Sequence, residues 1–133
     1  MFMKKNKGFS LMELMIVLII LGLLGSLVAP KLFSKVSSSK KKTAIAQMQM
    51  FETAIDTYRL DLGRVPSSLD ELIKSNTPNW DGPYLPKAIP LDPWGKPYIY
   101  ITPGKDNSLY TILSYGLDGK EGGEDESEDI IHR

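Results

Sequence analysis

FSLMELMIVLIILGLLGSLVA, residues 9–29, is a run of 21 residues with a single charge, Glu13. As a helix it spans roughly 31 Å at ~1.5 Å per residue, about one bilayer core. Lysines bracket it, with Lys4, Lys5 and Lys7 before and Lys31 and Lys35 after. The preceding MFMKKNKG, residues 1–8, is short and basic and carries the greater positive charge near the apolar edge. By the positive-inside rule that leader stays cytoplasmic and the C-terminal part lies outside. Three readings of the run compete. A cleaved secretory signal has a shorter apolar region, about 7–15 residues. Its cut here would fall between unsuitable neighbours, with Leu27 and Ala29 before it and Pro30 after. A plain membrane anchor fits the length but leaves Glu13 unexplained, because a carboxylate in a membrane helix costs a few kcal/mol unless paired. The third reading gives Glu13 a partner.

Beyond this run the chain is ordinary in bulk. Its 133 residues leave room for one compact domain. Apolar residues make up 42% and charged residues 24%, which argues against wholesale disorder. The absence of cysteine excludes a disulfide scaffold, a thiolate zinc site and a cysteine nucleophile. The single histidine, His132, argues against a histidine-rich metal site and a Ser-His-Asp triad. The net charge of zero hides an asymmetry. Residues 1–43 carry eight lysines against Glu13, whereas residues 118–133 carry seven acids against Lys120 and Arg133. The basic end suits phosphate, in lipid or nucleic acid, and the acidic end suits a cation.

Pro30 removes one helical hydrogen bond, yet a helical pattern resumes. Ala44, Met48, Phe51, Ile55, Tyr58 and Leu62 form an apolar stripe at spacings of three and four, an amphipathic helix closed by Gly63 as C-cap. Fewer than three full heptads favours packing on the chain's own sheet over a coiled coil. The intervening LFSKVSSSKKKT, 32–43, has no strong stripe and reads as exposed helix or a fraying junction. Residues 64–97 hold seven of the nine prolines, but Trp80, Tyr84, Leu85, Ile89 and Trp94 supply too much apolar surface for a free linker. SSLDEL, 67–72, resembles a helix start with Ser67 or Ser68 as N-cap. PYIYIT, 97–102, and SLYTILS, 108–114, alternate around PGKDN and predict a β-hairpin. The expected fold is α+β: a long N-terminal helix, with a membrane half and an amphipathic half, packed on a small antiparallel sheet with extended loops.

KGFSLMELMIVLIILGLLGSLVAPK, 7–31, resembles the class III signal of type IV pilins and pseudopilins. That resemblance implies cleavage after Gly8 by a prepilin peptidase and N-methylation of Phe9. Glu13 then falls at the fifth mature position, where the family carries its glutamate, and Pro30 at the twenty-second. YRLDLGRVPSSLDEL, GPYLPKAIPLDPWGKPYIY and YTILSYGLDGKEGGEDESEDI are similar to the major pseudopilins of type II secretion systems. The implied organisation is a cleaved basic leader at 1–8, a transmembrane and filament-core helix at 9–29, and a periplasmic pilin-like domain at 30–133. Cleavage would expose a cationic α-amine on Phe9. A buried amine and a buried carboxylate each cost less together than alone. The family's glutamate is thought to neutralise the neighbouring subunit's N-terminus, so Glu13 is expected to set register during assembly, against the alternative of a carboxylate snorkelling to the interface. Gly22 and Gly25 are at most a weak sign of close helix packing.

The tail DGKEGGEDESED, 118–129, fails as an EF-hand because Lys120 and Gly122 stand at two ligand positions and no glutamate is twelfth. The resemblance implies instead one calcium ion in this loop, with side chains of Asp118, Glu128 and Asp129 and backbone carbonyls of Tyr115 and Glu126 as ligands. A solvated acidic tail is the alternative. Lys40, Lys41 and Lys42, without interleaved aromatics or arginines, are weak evidence for a nucleic-acid site. They read as a solvated helix face or a contact with a neighbour's acidic loop. Asp92, Trp94 and Gly95 read as a packed turn with Trp94 in the core.

No nucleotide motif or catalytic cluster is present, and no enzyme is expected. The function the resemblance implies is a structural subunit of the type II secretion pseudopilus. It would polymerise through its N-terminal helix and help export folded proteins across the outer membrane. Its partners would be itself in a helical homopolymer, minor pseudopilins, the prepilin peptidase, the inner-membrane secretion assembly platform and membrane lipid. Its location would be the bacterial inner membrane, single pass, with the C-terminal domain in the periplasm, and a periplasmic filament once assembled. The alternative is a subunit of a type IV or competence pilus serving adhesion, motility or DNA uptake. The lack of cysteine and the acidic loop favour the first.

Overall fold

The computed structural model describes residues 7–133, so most of the basic leader, including Lys4 and Lys5, lies outside the described residues. The chain divides into two compact units, the first ending at Val36 and the second running Ser37–Arg133. One helix, α1 (Leu11–Leu62, 52 residues), supplies most of the first unit and the spine of the second. The helix assignment continues through Pro30 and through 32–43, so the segment read as a possible fraying junction is helical. Ser26, one turn before Pro30, donates its hydroxyl to the Leu23 carbonyl at 2.7 Å.

In the second unit the sequence stripe is the buried face. Ala44, Met48, Phe51, Ile55 and Tyr58 are buried, joined by Ala54, and Leu62 packs at the margin. The helix stops at Gly63, whose φ of 75° is the left-handed C-cap geometry and whose N–H donates to the Arg59 carbonyl at 2.8 Å. A three-stranded antiparallel sheet follows, in the order β1 (Ile99–Ile101), β2 (Thr111–Ser114), β3 (Ile130–His132). Register pairs Tyr100 with Ile112 and Ile112 with His132, so these three side chains share one face. Tyr100, Ile112 and Ile130 from this sheet pack into the cluster built on α1 with Leu69, Leu72, Leu85, Tyr98 and Tyr110. Phe51 meets Tyr98 edge-on at 5.2 Å between ring centroids, and Tyr58 meets Tyr84 in the same way at 5.5 Å.

Three expectations shift in detail. The strands are shorter than their patterns: Pro97 brings no N–H to a ladder, and Ser108 is bound into the turn by Gly104 N–H to its carbonyl and its own N–H to Lys105. The third strand was not read from the sequence at all. The SSLDEL start becomes a single 3-10 turn, Leu69–Leu72, with no side-chain cap from Ser68. Glu71 does the capping in reverse, its Oε2 accepting from Ser67 N–H (3.1 Å) and from Tyr58 OH (2.6 Å), with Arg64 at 3.4 Å. Burial pushes the Glu71 carboxyl up, but these donors outweigh it and hold it below its ordinary range. Burial together with the bond to Glu71 pushes the Tyr58 phenol up to about 12.

The DPWG turn is built on Asp92, which is buried and fully bonded. Its Oδ1 accepts from Trp94 and Lys96 N–H (3.1 and 2.8 Å) and its Oδ2 from Ser114 OH at 2.7 Å. Trp94 itself is only half-buried and lies outside the core cluster, contrary to expectation. The turn is secured by its aspartate and leaves the indole N–H buried without an acceptor.

Candidate functional site

Each unit carries one candidate site. In the first, Ser10 precedes α1 and caps it: its hydroxyl accepts from Glu13 N–H and its carbonyl from Leu14 N–H, both at 3.1 Å. Ser10-x-x-Glu13 is a capping-box spacing, a signal readable from sequence and overlooked there. Glu13 is exposed in the first turn, where a carboxylate complements the helix dipole. Phe9 is exposed, and a side chain added at Gly8 would meet nothing, so packing does not dictate that glycine. Gly22 and Gly25 are equally open.

The large apolar side chains of this segment stay exposed among the described residues. Among the large ones from Leu11 to Val28, exposure runs from 47% at Val17 to 77% at Leu11, on all sides of the helix. A helix hydrophobic all round must be buried in lipid or among other helices. The helix is long and apolar enough to cross a membrane, and the qualifying window is wholly unburied.

In the second unit the acidic loop folds back on itself. Leu117 N–H donates to the Glu126 carbonyl (2.8 Å), Gly122 N–H to Asp129 Oδ2 (2.9 Å) and Lys120 N–H to Asp118 Oδ1 (3.1 Å). Gly116 sits in the middle with φ of 73°. A Cβ there would lie 2.5 Å from the Glu126 carbonyl oxygen and 3.1 Å from that of Glu128, so two carbonyls converge on this glycine. Asp129 Oδ1 is buried and accepts from no donor, an unbalanced position for a carboxylate oxygen. These features suit a cation.

The five expected calcium ligands are not treated alike. Asp118 and Asp129 each hold a loop amide, Glu126 offers a converging carbonyl, and Tyr115 is half-buried beside Gly116. The Glu128 carboxylate is carried away to α1, where Lys41 Nζ donates to it at 3.0 Å. Among the described residues no three acidic or histidine side chains gather closely enough to hold a metal between them. Lys41, expected on a solvated helix face or against a neighbour's acidic loop, instead meets the acidic loop of its own chain, a pairing that spacing could not reveal because its partner lies 87 positions away. A second link ties β3 to α1: His132 Nε2 lies 3.0 Å from Glu52 Oε2 but without hydrogen-bond geometry.

Comparison with known proteins gives concordant results. Residues 31–133 match the family model described as type II secretion system protein G, and residues 3–29 match the prokaryotic N-terminal methylation motif. The chain is 38% identical to the type II secretion system core protein G of Pseudomonas aeruginosa over 96% of this chain and 94% of that one. It is also 38% identical to that of Vibrio cholerae (96% and 92%) and 35% identical to that of Escherichia coli K12 (92% and 89%). Among solved structures it resembles the crystal structure of the major pseudopilin from the type 2 secretion system of enterohaemorrhagic Escherichia coli. The TM-score is 0.61 at 29% identity, covering 77% of this chain and 93% of that one. With a family model spanning most of its length and relatives matched nearly end to end, the chain belongs to the type II secretion system protein G family.

Proposed function

We propose that this chain is a structural subunit of the type II secretion pseudopilus, not an enzyme. Its N-terminal helix is the polymerising element, and the assembled filament helps export folded proteins across the outer membrane. The observation that carries this reading is the helix surface of Leu11–Val28, whose large apolar side chains are all exposed among the described residues. Each large apolar side chain gains about 1.5–3 kcal/mol on leaving water. Such a surface is stored in lipid and buried again among copies of itself.

In this reading residues 1–8 are a leader removed by the prepilin peptidase after Gly8, and Phe9 becomes the methylated N-terminus. Residues 9–29 span the inner membrane, and 30–133 stand in the periplasm, an orientation supported by the lysine-rich leader. Glu13 meets the α-amine of a neighbouring subunit, which makes its position at the helix start a register mark. Minor pseudopilins and the assembly platform are the further partners.

The acidic loop is the proposed site for one calcium ion. Support comes from Asp129 Oδ1, buried and without a donor, and from the carbonyls of Glu126 and Glu128 converging on Gly116. Asp118 and Tyr115 complete an oxygen-rich set of the kind calcium takes. Bound there, calcium would neutralise the loop's excess carboxylates and tie its turns together.

The test is the extracellular protein of the source cells with and without this gene. The expected outcome is loss of folded enzymes from the medium and their accumulation in the periplasm, restored by the wild-type gene but not by Glu13→Ala. Unchanged secretion with loss of surface fibres, twitching or DNA uptake would make the chain a pilus subunit instead.

A further inference from the structure

The acidic residues of the loop fall into two groups by what balances them. Asp129 has a buried oxygen with no donor, and Asp118 accepts only from a backbone amide of its own loop. Neither meets a cationic side chain among the described residues. Glu128 alone in the loop is already neutralised, by an ammonium 3.0 Å away on α1. Of the three consecutive lysines, only Lys41 has an acidic partner among the described residues. Lys41 stands on α1 three residues before the fully buried Ala44, within a turn of the helix face that packs in the second unit. A cation recruiting the Glu128 carboxylate would first have to break this pair and turn the side chain around. At the same time the backbone carbonyl of Glu128 already points to Gly116, where the Glu126 carbonyl also arrives.

We propose that Glu128 is a latch and not a side-chain cation ligand: through Lys41 it fastens the acidic loop to α1 and thereby holds the loop's carbonyls in place for the ion. The latch rests on the calcium reading only for its consequence; the fastening itself is a contact between two side chains of this chain. Lys41 and Glu128 are positioning residues. Most of the work of ordering the loop is then done before the ion arrives, and preorganisation of this kind raises affinity without adding a contact.

The two roles separate by sign. A through-space charge effect would make Lys41→Met tighten calcium binding and Glu128→Gln weaken it. Loss of a shared latch weakens binding in both. The experiment uses the full chain in detergent, with calcium chloride as the probe and calorimetry as the readout. It adds amide exchange of Leu117, Gly122 and Ser127 measured in chelator. Both variants should speed that exchange about two- to fivefold, the scale of an exposed ion pair. The double variant should add nothing to either single one, and Lys41→Arg should restore protection. Calcium affinity should fall by the same about two- to fivefold in Lys41→Met and Glu128→Gln. A loss of about tenfold or more in Glu128→Gln alone, with Lys41→Met unchanged or tighter, would make Glu128 a ligand and overturn the proposal. Unchanged exchange in both variants would remove the latch. Absence of any calcium heat in the wild-type chain would refute the calcium reading, and the exchange arm would still decide the latch.

Discussion

Two stretches of α1 carry similar side chains and meet opposite conditions. From Leu11 to Val28 leucine, isoleucine, valine and methionine point in every direction, and all the large ones are exposed. From Ala44 to Tyr58 the apolar residues keep to one face, and Met48, Phe51, Ile55 and Tyr58 are at most 1% exposed. The difference lies in distribution. A stripe can be covered by one sheet and a few loops, whereas an all-round surface exceeds what 133 residues can cover and needs a second phase or further copies. The first stretch is therefore built for surroundings the chain does not supply, and the second for a core it supplies itself.

The sharpest way to break this comparison is to damage each stretch in turn. Phe51→Ala removes a ring from a fully buried position against Tyr98. It should destabilise the second unit by about 3–5 kcal/mol. Both tryptophans, Trp80 and Trp94, lie in that unit, so their fluorescence in a melt of the detergent-solubilised chain reads the loss. Membrane fractionation should not change. Ile19→Lys is the converse. It should cost about 2.5–3.5 kcal/mol of insertion at the middle of the span, seen as protein lost from the membrane fraction, with the tryptophan melt unaltered. If Ile19→Lys lowered the melt or Phe51→Ala emptied the membrane fraction, the division of labour would be wrong.

A smaller effect sharpens the covered side. Glu71→Gln takes the negative charge from the acceptor shared by Tyr58, Ser67 and Arg64, leaving a weaker amide oxygen, and should cost about 1–3 kcal/mol at neutral pH. The folded-state carboxyl is held low, so its contribution is full above the ordinary glutamate range, near about 4.3, and is lost as pH falls through the lower folded value. The gap between wild type and variant should close in acid melts. A gap that widened on acidification would show that the pair does not act through charge. Tyr58 has the opposite sign: its phenol, raised to about 12, favours the fold below pH about 10 and loses that advantage as pH rises toward 12.

Much of this molecule was readable along the chain because the information was local and periodic. The stripe Ala44 to Tyr58 is buried as its spacing required, Gly63 closes the helix, and the apolar run and its glutamate stand at a helix start. Residues 32–43 were harder, because a polar helix has no stripe to betray it. Strand β3 was invisible: Ile130–His132 is three residues behind an acidic loop, and it becomes a strand only because β2 offers its free edge. Trp94 misled by size, since Asp92 and not the indole secures the turn.

The same distinction runs through the acidic loop. Composition alone determined that seven acids in residues 118–133 need a positive charge near them, and the N-terminal run alone determined that the chain cannot bury all of its apolar surface. Which acid meets which charge was decided only in three dimensions. Glu128 and Asp129 are neighbours in the chain, yet one carboxylate reaches Lys41 on α1 while the other keeps a buried oxygen without a donor. The physical reason is that hydrophobic periodicity is a property of a segment, whereas electrostatic pairing depends on which distant segments the core brings within a few ångströms.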